Sequence, residues 1–264
     1  MANTPSMADL EVLMDSAWPA PQRLDTGEWV LRAASGVTQR ANSVWPRESA
    51  ANEPDAVRAA VLWYRNSRLP AIYQLTESPR HESLNEVLDR EGYTRQSETL
   101  VMHRGPDTDT VGPGGPVGPA GPMSVEVLDR PSQEWLRLWW SVDGRGGEQE
   151  LAIARGILTG CPALYALVRD DDGVPAAVGR LALVDGYGGL YCMATRPDAR
   201  RQGFARRIIG AMISEGSRRG LSGYWLMVTA SNTAGQQLYR GAGFTEAGRY
   251  LYRQERPKRS LTGC

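Results

Sequence analysis

Between residues 105 and 122 the chain reads GPDTDTVGPGGPVGPAGP, and this run constrains the fold more than any other segment. Glycine recurs at every third position from Gly112 to Gly121, an imitation of collagen far too short to wind a triple helix. Proline removes backbone donors and fixes φ, so neither a helix interior nor a central strand can continue through such a run. It is expected to be an extended, solvated spacer, able to reach on the order of 50 Å at about 3.1 Å per residue. The chain is therefore expected to form two domains, 1–104 and 123–264, joined by a linker at 105–122. A length of 264 residues with 41% hydrophobic content is enough to build a core on each side.

Both sides mix strands and helices. Before the linker the pattern predicts a helix at 10–16, strands at 27–33 and 41–46, a helix after Pro54, a strand at 71–78, a helix at 81–91 and a closing strand at 99–103. After it come a strand at 124–130, helices at 133–141 and 149–158, and two strands joined at Asp171, Asp172 and Gly173, whose acidic run reads as a solvated hairpin tip. A strand at 190–195, a helix at 205–219, a strand at 224–228, a helix at 232–240 and a strand at 249–254 complete the chain. This is an α+β pattern, with mixed sheets flanked by helices.

Thirty basic residues balance thirty acidic ones, so nothing in the global field favours nucleic acid or an anionic membrane as a partner. A small ligand of little charge fits better. No run approaches the roughly 18–20 apolar residues that span a bilayer, and the first twenty residues have no cationic, apolar leader, so a cytoplasmic location is expected. Cys161, Cys192 and Cys264 show no C-x-x-C spacing. Reduced thiols are expected, with neither a disulfide framework nor a metal site.

The chemistry concentrates in LYCMATRPDARRQGFARRII, residues 190–209. A buried strand runs through a proline-marked turn and an Arg/Gly loop into an amphipathic helix. The first amides of that helix have no intrahelical partner and its dipole is positive at this end. Gly203 allows close backbone approach, and Arg200 and Arg201 add full charges of a geometry suited to phosphate. Alone, this describes a phosphate-binding turn or an ordinary basic surface loop. Downstream, YWLMVTASNTAGQQLYRGAGF gives a strand, an Asn-capped helix carrying Tyr239, and a stop at Gly243 and Phe244.

Together these two stretches resemble the GNAT (Gcn5-related N-acetyltransferase) superfamily, over about residues 125–252. The segment Arg200-Arg201-Gln202-Gly203-Phe204-Ala205 matches its pyrophosphate loop, Q/R-x-x-G-x-G/A. Asn232, Tyr239 and Gly243-Phe244 reproduce the spacing of its later motif. The resemblance implies an N-acetyltransferase that uses acetyl-CoA or another acyl-CoA as co-substrate, without a metal, and transfers the acyl group directly to a primary amine. It implies that an amide of Met193 or Ala194 holds the thioester carbonyl, that Thr195 and Asn232 contact the pantetheine arm, and that Tyr239 protonates the departing thiolate. The acceptor is expected to be a small molecule or amino acid; protein lysines or N-termini, or a sensor that binds without turnover, are the alternatives. Retention of Tyr239 argues against the sensor. A monomer or a homodimer is equally compatible.

No carboxylate lies on the strand before the loop, where many members of the superfamily carry a basic Glu. Cys192 as a nucleophile needs an activating base, and the two histidines, His81 and His103, lie before the linker. Glu148, Glu150, Trp139 and Trp140 are candidates for the acceptor side, with solvated carboxylates and core indoles as the competing reading. Aligning the halves on their glycine-aromatic corners places VLDREGY on LYRGAGF. Leu88 then replaces Tyr239, His81 replaces Asn232, and the loop PRESAANEP contains no glycine. The first half thus looks like a degenerate copy, in the tandem arrangement of actinobacterial GNAT proteins. Its run at 29–43 places Arg40, Asn42 and Ser43 on an expected strand, either facing an interdomain cleft or satisfying one another inside the fold.

Overall fold

The computed structural model describes residues 4–106, 124–144 and 146–255. Nearly all of the expected linker, and Cys264, lie outside the described residues. The chain forms two compact units, neither of them continuous in sequence. One comprises Met1–Pro19 and Leu100–Gly248, the other Ala20–Thr99 and Arg249–Cys264. The unit boundaries therefore fall near the first helix and inside two strands.

The larger unit begins with α1 (Met7–Ala17), started by a capping box in which Ser6 and Asp9 satisfy each other's backbone amides. It contains the end of β5 (Thr94–Arg104), then β6 (Val125–Leu128), α4 (Gln133–Asp143), α5 (Glu148–Leu158), β7 (Ala163–Arg169), β8 (Pro175–Val184) and β9 (Tyr187–Thr195). There follow α6 (Phe204–Arg218), β10 (Tyr224–Thr229), α7 (Thr233–Arg240) and the start of β11 (Thr245–Gln254). Strands β6, β7, β8 and β9 form an antiparallel meander in that order, and β10 adds to β9 in parallel. The apolar stripe of α6, Phe204, Ile208, Ile209 and Met212, packs on one sheet face with Leu164, Ala166, Leu181, Leu190 and Leu226.

The smaller unit orders β1 (Gln22–Asp25), β2 (Trp29–Ala33), β3 (Val44–Pro46) and β4 (Ile72–Thr76), with the end of β11 pairing antiparallel to β4. Helices α2 (Glu53–Asn66) and α3 (Glu82–Arg90) belong to it. Its core gathers Trp29, Tyr64, Tyr73, Leu75 and Leu88. Residues Arg40–Asn42 form a 3-10 turn instead of the expected strand. The Asn42 amide explains this. Its Oδ1 accepts from the amides of Ala34 and Gly36, and its Nδ2 donates to the carbonyls of Val37 and Thr38, at 2.7–2.8 Å. One side chain thus completes a loop in which Ser35, Gly36 and Thr38 all have positive φ. Ser43 accepts from the buried Arg32 guanidinium and donates to the Arg40 carbonyl. The Asn42 and Ser43 side chains are thus satisfied within their own unit, as most buried polar groups are.

Candidate active site

The site is built where β9 leaves its neighbours. In the β8–β9 ladder Val178 faces Ala194 and Arg180 faces Tyr191, so Gly179 stands opposite both Cys192 and Met193. This is a β-bulge, with Cys192 at φ 54° as the extra residue. Gly179 is required there, because a Cβ would lie 2.6 Å from Ile208 and 2.7 Å from the Met193 sulfur. The Trp135 indole N–H donates to the carbonyls of Gly179 and Ala166, which pins α4 across the same place. On its other side β9 pairs with β10 only through Gly188, Gly189 and Leu190, although β9 runs on to Thr195 and β10 to Thr229. Beyond Leu190 the two strands part. Backbone groups of β9 that would have bonded to β10 are left off the ladder, and Cys192, Met193 and Thr195 are half-buried at this opening.

The loop that follows is held by Arg196. Its guanidinium donates to Asp170 at 2.7 Å, Asp198 at 2.6 Å and the Pro175 carbonyl at 3.0 Å. These bonds hold the carboxyls of Asp170 and Asp198 below the usual carboxylate range. A 3-10 turn at Pro197–Ala199 and the bond from Gln202 to the Asp198 carbonyl shape the rest. Arg201 and Gly203 take positive φ, 68° and 86°. Gly203 then enters α6 with no side-chain cap and no acidic residue in the first turn. Arg200, Arg201, Gln202 and Gly203 are exposed. Phe204 is not: its ring is in the core, so only its backbone amide is available to a ligand. The result is a set of free amides at the positive end of a helix, flanked by guanidinium groups, an arrangement that binds anions.

The corresponding helix of the smaller unit differs in every respect that matters. Asn52 caps α2 by accepting from the Asp55 amide, and Glu53 and Asp55 place negative charge in its first turn. Leu88 is fully buried and His81 sets its two ring nitrogens 3.0 Å from the carbonyls of Thr76 and Pro46.

Asn232 is exposed and caps α7, its Oδ1 accepting from the Gly235 amide at 2.9 Å. Gly235 makes room for this, since a Cβ would lie 2.7 Å from the Asn232 amide nitrogen. Two turns on, Tyr239 is 9% exposed and its ring meets Phe244 edge-on at 6.3 Å. Its hydroxyl has no hydrogen-bond partner among the described residues. Burial pushes the phenol up to about 12, so it holds its proton throughout the neutral range.

The remaining candidates divide clearly. Glu150 accepts from the Gly147 amide and caps α5, while Glu148 is exposed. Trp139 is buried, whereas Trp140 is half-buried and donates to the Gly146 carbonyl. His103 packs beside Tyr187 and Gly223, at the opposite end of β9 from Cys192. Five residues of strand, about 16 Å at 3.3 Å each, separate the two ends, so His103 cannot activate Cys192. Among the described residues no group of His, Cys, Asp and Glu is placed to hold a metal, and no helix is long and apolar enough to cross a membrane. Composition gave no hint of the Gly179 bulge or of Arg196; only an Arg-Pro-Asp string marked the latter.

A strand opened beside a bulge, followed by an uncapped basic helix N-terminus and a buried tyrosine on the next helix, defines an N-acetyltransferase of the GNAT type. The family model described as "Probable histone acetyltransferase Rv0428c C-terminal" matches residues 4–253, and the chain belongs to this family. It is 25% identical over 256 residues to the uncharacterized N-acetyltransferase YobR of Bacillus subtilis (strain 168), covering 94% of this chain and 98% of that one. A GCN5-related N-acetyltransferase from Kribbella flavida superposes with a TM-score of 0.70 at 16% identity, covering 97% of this chain and 98% of the other. A tandem GNAT protein from the clavulanic acid biosynthesis pathway gives 0.66 at 13% identity, over 97% and 91%. The chain shares their fold.

Proposed function

We propose that the chain transfers an acetyl group from acetyl-CoA to the primary amine of a small molecule or amino acid, at a single site in the larger unit. The observation that carries this is the continuity of the opened strand β9 with the uncapped, arginine-flanked start of α6. One offers backbone released from the β10 ladder to a carbonyl, the other offers amides and charge to a pyrophosphate. Arg200, Arg201, Gln202 and the amides of Gly203, Phe204 and Ala205 would hold the pyrophosphate, and Thr195 and the free Nδ2 of Asn232 the pantetheine arm. The amide of Met193 or Ala194 would donate to the thioester oxygen as it gains negative charge, where a fixed donor has its largest effect.

The amine nitrogen attacks the carbonyl carbon, the C–N bond forms, and the C–S bond breaks. Tyr239 passes its phenolic proton to the sulfur, so that the products are the amide and the free thiol. The proton lost by the amine leaves through water, since β9 presents Tyr191 and Cys192 and no carboxylate. Holding both reactants in one cleft supplies much of the rate. The balanced charge of the chain provides no acidic field to draw in a basic peptide.

The test is a thiol-release assay with acetyl-CoA across small amines, amino acids, and peptides bearing free N-termini or lysines. Turnover confined to small amines supports the proposal. Turnover confined to peptides favours protein acylation, a reading suggested by the wording of the family description. Silence across all of them, with binding of CoA demonstrated, would establish a sensor.

A further inference from the structure

The first helix belongs to the same compact unit as β9 although about 170 residues separate them in sequence. Its contact point is specific. Trp18, the residue that ends α1, stacks on Tyr191 with ring centroids 5.5 Å apart and planes 10° from parallel. Tyr191 directly precedes the bulged Cys192.

On its other side Tyr191 reaches β10. Its ring meets Trp225 edge-on at 6.3 Å, and the Trp225 indole N–H donates to the Tyr191 hydroxyl at 3.3 Å. Trp225 pairs with Gly189, one rung before the last paired rung of the two strands. The rings fill the space above Gly189 completely: a Cβ there would lie 2.4 Å from Trp225 and 2.7 Å from Tyr191. A packed aromatic wedge thus sits at the apex of the opening between β9 and β10.

Arg180 locks the wedge to α1. It is fully buried and lies opposite Tyr191 in the ladder. Its guanidinium carbon lies 5.8 Å from the Trp18 ring centroid and 5.6 Å from that of Tyr191. It donates to the carbonyls of Ala17 and Leu158, the last residues of α1 and α5, both at 3.1 Å. A cation at the negative ends of two helices is well placed. The Cys161 sulfur is its third partner, at 3.0 Å.

We infer that Trp18 and Tyr191 are positioning residues, through which the N-terminal helix sets the opening of β9 and β10 and so the aim of the amides that follow at the bulge. This rests on the acyl-donor reading given above. Close packing transmits a shift of the Tyr191 ring to the backbone two residues on, and small misplacements of a catalytic donor are costly.

The experiment compares acetyl-CoA with CoA, which differ at the carbonyl the bulge amide would hold. Calorimetric titration of Trp18→Ala should show acetyl-CoA affinity falling about three- to tenfold, as for partial loss of one hydrogen bond, while CoA affinity changes less than about twofold. With a turned-over amine, kcat should fall and KM for acetyl-CoA should move less. Trp18→Phe keeps a stacked ring and should restore most of both. If Trp18→Ala does not fold, Tyr191→Phe, which deletes only the hydroxyl bridging to Trp225, should show the same selective loss in weaker form. Equal losses for CoA and acetyl-CoA, or none in either variant, overturn the inference while leaving the acyltransferase reading intact. Wild-type protein that binds neither ligand overturns that reading, and the inference with it.

Discussion

Tyr239→Phe should lose activity and leave stability nearly unchanged, because the hydroxyl it removes makes no hydrogen bond among the described residues. The ring is 9% exposed and its edge contact with Phe244 survives the substitution. Deleting the hydroxyl leaves no partner orphaned, so the variant should be within about 1 kcal/mol of wild type. For a chain of this size that margin corresponds to about 2–4 °C in Tm. Loss of a general acid should nevertheless lower kcat by about 10²–10⁴, with CoA affinity nearly unchanged.

The pH dependence sharpens the test. Burial raises the phenol from its ordinary value of 10.0 to about 12. The folded state therefore releases this proton at higher pH than the unfolded chain does. The stability it contributes is complete below pH 10 and is lost as pH rises toward 12, an amount on the order of 2–3 kcal/mol. The variant should lack this component of the alkaline loss, read as the difference between the two denaturation curves. Its activity should be low at every pH, with no limb near neutrality to explain the deficit. Thiol release within twofold of wild type, or a marked drop in Tm, would refute the reasoning: the first by removing the acid, the second by showing a structural hydroxyl.

Gly203 holds φ at 86° with open space where a Cβ would point, so Gly203→Ala should cost about 1–2 kcal/mol through backbone strain alone. Gly203→Glu should in addition abolish the acetyl-CoA-induced rise in Tm, and an equal ligand shift in both variants and wild type would place the donor elsewhere. Asn232→Ala removes the cap of α7 and should destabilise by about 1 kcal/mol, measured by chemical denaturation; an unchanged midpoint would show that the cap carries no weight. Titration should find one CoA per chain, since α2 is capped and acidic where α6 is uncapped and basic, and two sites of similar affinity would contradict that contrast.

Much of this was legible in the sequence because it is local. Helical spacing at Ile208, Ile209 and Met212, proline and glycine around the Arg/Gly loop, and the Asn232 to Tyr239 interval are short-range patterns, and the elements form where those patterns place them. The contrast between the halves was equally readable, since Leu88 and the glycine-free loop need no partner to be recognised. By contrast, the strand expected at 41–46 begins as a 3-10 turn at residues 41 and 42, because the four hydrogen bonds made by the Asn42 side chain outweigh the β-branched and aromatic pattern around it. The short β1 carries no clear signal, and all four of its residues are exposed.

What the sequence by itself determined is therefore most of the elements, the family and the uncapped, basic start of α6, all consequences of interactions spanning a few residues. Only the tertiary structure decided how the chain is shared between its two units, with Met1–Pro19 joining the larger and Arg249–Cys264 the smaller. It alone placed Trp18 against Tyr191, and Gly179 opposite two residues of β9. The physical reason is that register and ring packing depend on which surfaces meet across the sheet. A tryptophan at position 18 reads the same in the sequence whatever it stacks on, and a glycine at 179 shows its purpose only when Ile208 and Met193 close over it.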